Sequence, residues 1–84
     1  MNTNYWIDII KAELRRAESA YPDWPPDVVH QVAIMAEEAG EAVQAANDVA
    51  HKGALLEPLR RELVQTAAMC LRCLNALDIV GLNT

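Results

Sequence analysis

The chain has 84 residues, of which 52% are hydrophobic, and its 7 basic and 12 acidic side chains give a net charge of −5. One domain, residues 1–84, is the expectation at this length, near the lower limit for a core that stands alone, so self-association is expected too. Scattered cations and an acidic balance argue against a nucleic-acid binder, and no apolar run approaches the roughly 20 residues that span a bilayer, so no membrane partner is expected.

The N-terminus, "MNTNYWIDII", has no basic leader and is interrupted by Asp8, so no signal peptide is expected and the cytoplasm is the default location. Residues 4–21 read as a first helix. Trp6, Ile10, Leu14, Ala17 and Tyr21 recur at three- and four-residue spacing, with Ile9 beside them, as an inward stripe; Lys11, Arg15, Arg16 and Glu18 cover the other side. Prolines at 22, 25 and 26 then break the chain, because none of them fits a helix interior.

A second helix is expected from about residue 26, with Pro25 or Pro26 in its first turn, to Lys52, stopped by Gly53. Its expected core stripe is Val29, Val32, Ala33, Ala36, Gly40, Val43 and Ala50. Glu37, Glu38, Glu41, His30 and Asp48 fall on another face, although Ile34 and Ala45 project among them. A third helix should run from Glu57 or Pro58 to about Val80, with Gly81 ending it. The short connection at 53–56 makes helices two and three an antiparallel hairpin.

From Ala67 to Leu77 the third helix is apolar nearly all round, more than three helices of this length can cover, so a subunit interface is expected there. Glu62, Gln65 and Arg72 share one sector of it, and buried polar groups need partners. Cys70 and Cys73 form a C-x-x-C inside this helix. With no preceding strand and only two histidines as further ligands, they read as small core residues and free thiols.

The acids pose the functional question. Two carboxylates 4 Å apart repel by roughly 4 kcal/mol at an effective dielectric of 20, yet Glu37, Glu38 and Glu41 lie within five residues. Acids from two adjacent helices, Glu38 and Glu41 on one and Glu62 with Gln65 on the other, offer the oxygen ligands that Mg²⁺ prefers, with Mn²⁺ as the alternative. Such an ion would relieve the repulsion.

"EEAGE" followed by "RELVQ" resembles the paired motif of the all-α nucleoside triphosphate pyrophosphohydrolases, the superfamily of MazG and the dimeric dUTPases. That pattern is E-x-x-E on one helix and E-x-x-D on the next. Here Glu38-x-x-Glu41 precedes Glu62-x-x-Gln65, within a likeness running from about Trp24 to Leu77. The resemblance implies an all-α oligomeric bundle, a homodimer or homotetramer, that hydrolyses a nucleoside triphosphate to monophosphate and pyrophosphate. It implies Glu38, Glu41 and Glu62 as metal ligands, with Glu37 a further ligand or the base that orients water. Gln65 departs from the pattern, since its amide oxygen can ligate the metal but brings no charge.

For the substrate, Trp24 is a candidate to stack a base or a hydrophobic cap on the bundle. Lys52 and Arg61, near the hairpin turn, are candidates to meet the triphosphate. Arg72 either grips phosphate or pairs with an interface acid. The alternative to catalysis is a non-catalytic module of the same build, in which the glutamates are a solvated face and helix three an oligomer core.

Overall fold

The computed structural model describes residues 1–81, with side chains through Asp78, and among them the fold is three helices with no strand. Helix α1 spans Thr3–Ala20, α2 Val28–Lys52 and α3 Leu56–Gly81. The stop expected for the third helix at Gly81 falls at the edge of this range, and the residues after it lie outside those described.

Three of the helix ends have a clear local cause. Asn2 caps α1 by accepting from the Tyr5 N–H at 3.0 Å, and Asp27 caps α2 by accepting from the His30 N–H at 2.9 Å. Pro25 and Pro26, either of which was expected in the first turn of α2, both stand before it. Asp27 captures the start because its carboxylate satisfies a donor that proline cannot. Gly53 ends α2 in the left-handed region, φ 68°, and the Ala54 N–H reaches back to the Asp48 carbonyl at 3.1 Å.

Helix α3 is the central member, with α1 and α2 both packed against it. The three meet around Ala17, Ala68 and Met69, with Ile10, Leu14, Trp24, Ile34 and Met35 against that centre. Small residues at the crossing let the helix backbones approach closely. Along the α2–α3 contact the Cys73 thiol donates to the Gln31 carbonyl at 3.5 Å, while Glu41 lies beside Glu62 at the other end. Both cysteines are free; burial and then the neighbouring Cys70 push the Cys73 thiol pKa up.

Two expectations of the core are corrected here. Tyr21 caps the end of α1 with its ring exposed. On α2 the valine stripe is outside: Val29, Val32 and Val43 are all exposed, as are Ala33, Ala36, Gly40 and Ala50. The face turned to α3 instead carries Gln31 and Ala42, both buried, with Ile34, Met35, Glu38 and Ala45 half-buried. The inward face offsets its polar residues with hydrogen bonds: Gln31 Nε2 donates to the Pro25 carbonyl at 2.8 Å.

The segment between α1 and α2 is tied down at two points. Arg72, buried on α3, donates to the Tyr21 carbonyl at 2.7 Å, and Gln31 holds Pro25. Between them the Trp24 ring stacks on the Arg72 guanidinium, 4.4 Å from ring centre to Cζ.

Candidate metal centre and its adjoining cleft

Turning the valines outward brings the acids of α2 against α3. One carboxylate oxygen from each of Glu38, Glu41 and Glu62 lies within 4.8 Å of the other two. Glu38 and Glu41 are one turn apart on α2, and Glu62 faces them from α3. Glu38 and Glu62 are half-buried, whereas Glu41 opens to solvent.

Gln65, one turn after Glu62, completes the group. In the amide orientation that satisfies its neighbours, its nitrogen donates to Glu62 Oε2 at 3.2 Å and to Glu38 Oε2 at 3.3 Å. Two N–H bonds soften the repulsion without abolishing it. Burial, then Glu41, Glu13 and Glu37, hold the Glu38 pKa above the usual carboxylate range. Burial, then a hydrogen bond and repulsion from Glu41, raise that of Glu62, with Glu38 adding and Arg61 opposing.

These donors fit a hard divalent cation. Mg²⁺ holds oxygens at 2.0–2.1 Å, so opposite ligands stand about 4.2 Å apart. The three carboxylate oxygens lie within 4.8 Å of one another, close to that span. Rotating the Gln65 amide would present its oxygen in place of its nitrogen. Glu37 is exposed and stands outside the trio.

A cleft of about 410 Å³ opens beside the trio, with Glu38 and Gln65 on one wall and Trp24 and Arg72 deeper in. Helix α1 supplies the opposite wall through Glu13 and Arg16. A larger concavity, about 810 Å³, lies between the N-terminal halves of α1 and α3 and shares Glu13 and Arg16 with the first. Of the two, only the smaller contains a member of the trio.

Of the expected substrate contacts, Trp24 and Arg72 therefore share this cleft. Arg72 is held by Tyr21 and Trp24, in place of the interface acid weighed from the sequence, and it occupies one face of the ring offered for base stacking. The Trp24 Nε1–H is buried without a protein partner. Lys52 pairs with Asp48 at 3.5 Å near the turn, and Arg61 lines the larger concavity. His30 is exposed.

Two residues of the cleft were missed from the sequence. Arg16 donates to the two carboxylate oxygens of Glu13 from Nε, at 2.9 Å, and from Nη2, and this pair lines the same cleft as Glu38. The available signal was phase: Glu13 and Arg16 follow inward Ile9 at four and seven residues, on the same face of α1. Compared with protein-family models, curated proteins and solved structures, the chain matches none.

Proposed function

We propose that the protein is a Mg²⁺-dependent nucleoside triphosphate pyrophosphohydrolase of the all-α, MazG-like kind, working as a homodimer or homotetramer. The observation that carries the reading is the convergence of Glu38, Glu41 and Glu62 from two helices. The order of contacts, Gln31 to Cys73 and Glu41 to Glu62, supports the antiparallel hairpin that this reading needs.

In this reading Glu38, Glu41 and Glu62 hold the cation, with Mn²⁺ as a substitute, and Gln65 turns its amide oxygen toward it. When bound, the ion supplies charge neutralisation at the phosphate oxygens and acidifies water. Water adds to the α-phosphorus, and the bond from that phosphorus to the α–β bridging oxygen breaks. The bridging oxygen leaves with pyrophosphate. Glu41, the exposed member of the trio, accepts the proton on a carboxylate oxygen, while Glu37, one turn earlier on the solvent side, orients the water.

The cleft gives the nucleotide its place. Its volume lies within the roughly 300–1,000 Å³ range of small-molecule sites. Arg16 and Arg72 offset the triphosphate charge, and Trp24 offers one ring face to the base. Lys52 and Arg61 do not line this cleft and make weaker claims on the substrate.

One observation favours the alternative, a non-catalytic helical module. Gln65 already quiets Glu38 and Glu62 through two hydrogen bonds, so the trio can persist without an ion. Incubation with each ribo- and deoxynucleoside triphosphate and Mg²⁺, followed by assays for pyrophosphate and monophosphate, separates the two. The catalytic reading expects both products in equal amounts, and at least a ~100-fold fall in kcat for Glu41→Gln with unchanged circular dichroism. No turnover on any nucleotide, together with a melting temperature indifferent to Mg²⁺ and chelator, leaves the module.

A further inference from the structure

We propose that the smaller cleft and the larger concavity form one trough, with the carboxylate trio near its middle, and that this trough receives a dinucleoside polyphosphate. Such a ligand is a nucleotide whose outermost phosphate carries a second nucleoside. The place of cleavage rests on the reading above; the second nucleoside goes beyond it.

The two hollows are neighbours along the groove between α1 and α3, and Glu13 and Arg16 line both. On α3 the larger runs from Glu57 to Val64 and the smaller from Gln65 to Arg72. At 1.5 Å per residue, Glu57 to Arg72 spans about 22 Å. Glu62 and Gln65 stand on either side of the midpoint of that run. Both ends are aromatic. Trp24 lies at one; Tyr5 and Trp6 lie at the other, edge to face with ring centres 5.1 Å apart.

A nucleoside triphosphate uses only part of this length. With its base on Trp24 and its α-phosphorus at the trio, its outer phosphates are met by Arg16. Beyond them the concavity widens to about 810 Å³, against 410 Å³ on the Trp24 side. A hydrated phosphate gains nothing from aromatic walls, whereas a second base gains affinity by stacking on them. Charge points the same way. The concavity holds three arginines against two glutamates, in a chain of net charge −5. Arg16 and Arg60 are paired with Glu13 and Glu57, but exposed Arg61 has no carboxylate at ion-pair distance among the described residues. Arg61 directly precedes Glu62, between the trio and the second aromatic end, where the bridging phosphates pass.

Cleavage then follows the course given above. Water adds to the phosphorus that bears the nucleoside at Trp24, and the bond from that phosphorus to the bridging oxygen breaks. The bridging oxygen leaves on the second nucleotide. One water proton passes to the Glu41 carboxylate and the other stays on the new monophosphate. A nucleoside polyphosphate is released in place of pyrophosphate.

Diadenosine tetraphosphate and ATP carry nearly the same charge, so repulsion by the trio is common to both. A difference in their affinities in chelator therefore reads the second nucleoside, and stacking tolerates any base. Titration calorimetry on the intact chain should find the dinucleotide at least ~10-fold tighter than ATP, the size of one stacked base. Substituting Tyr5, 41% exposed, by Tyr5→Ala should remove that advantage and leave the ATP affinity unchanged. Arg61→Ala should weaken the dinucleotide at least ~10-fold and ATP by less, and it serves where Tyr5→Ala does not fold. Equal affinities, no binding of either ligand, or an advantage that survives in the folded variants overturns the proposal. Turnover with Mg²⁺ is a separate readout. Hydrolysis of ATP without the binding preference overturns this proposal alone, and a Tyr5-dependent preference without hydrolysis of either ligand overturns the catalytic reading alone.

Discussion

The two sides of the α2–α3 pair differ in what balances them. The side under α1 is polar and tied by specific bonds: Gln65 to Glu38 and Glu62, Gln31 to Pro25, Arg72 to Tyr21. The opposite side is aliphatic and has no partner among the described residues. A single apolar stripe is enough to fold a helix onto its neighbours. Helix α2 has a mixed stripe inside and a purer one outside, so the more hydrophobic face of a helix need not be the one buried within its own chain.

That contrast can be tested first on residues two apart on α3. Arg72→Ala removes a charged hydrogen bond and the stack on Trp24, and should cost about 2–3 kcal/mol in urea unfolding. Losing under ~0.5 kcal/mol would mean that the polar side is not the anchor. Leu74→Ala, on the bare side, should leave the stability of a dilute monomer almost unchanged.

Gln65→Asp should act with opposite signs in two conditions. With chelator it replaces two N–H donors by a fourth carboxylate, so the melting temperature should fall. With Mg²⁺ it adds a charged ligand, so the metal titration should tighten. An unchanged titration would remove Gln65 from the centre.

The raised carboxyl pKa values predict a pH dependence. Folded Glu38 and Glu62 hold protons to higher pH than they do in the unfolded chain. Their contribution to stability is complete below the ordinary glutamate pKa and is lost as pH rises through the elevated values. In chelator, the melting temperature should therefore be higher near pH 5 than near pH 7.5, as an order-of-magnitude window. Mg²⁺ should flatten the slope, and a slope unaffected by the ion would show that the trio does not bind it. The weakest response belongs to Val29, 75% exposed: Val29→Ser should shift unfolding by less than about 0.5 kcal/mol.

Helix positions were legible in the sequence to within two residues, because Gly53 and the prolines act locally and need no tertiary context. The facing of α2 was not. Val29, Val32 and Val43 outweigh Gln31 and Ala42 in transfer energy, and a helical wheel ranks faces without knowing which of them meets α3. Glu38, Glu41 and Glu62 were legible as candidates because their spacing survives any rotation of the helix pair, whereas Glu13 and Arg16 became visible only once α1 had a place.

Arg72 lies 51 residues after the Tyr21 carbonyl it grasps, and that grip fixes where the first helix leaves the bundle. The wall formed by Glu13 and Arg16 is thus hung from the far end of the chain. A lengthened proline segment would let that wall swing aside, admit water to Glu38, and alter the acids of the trio without touching one of them.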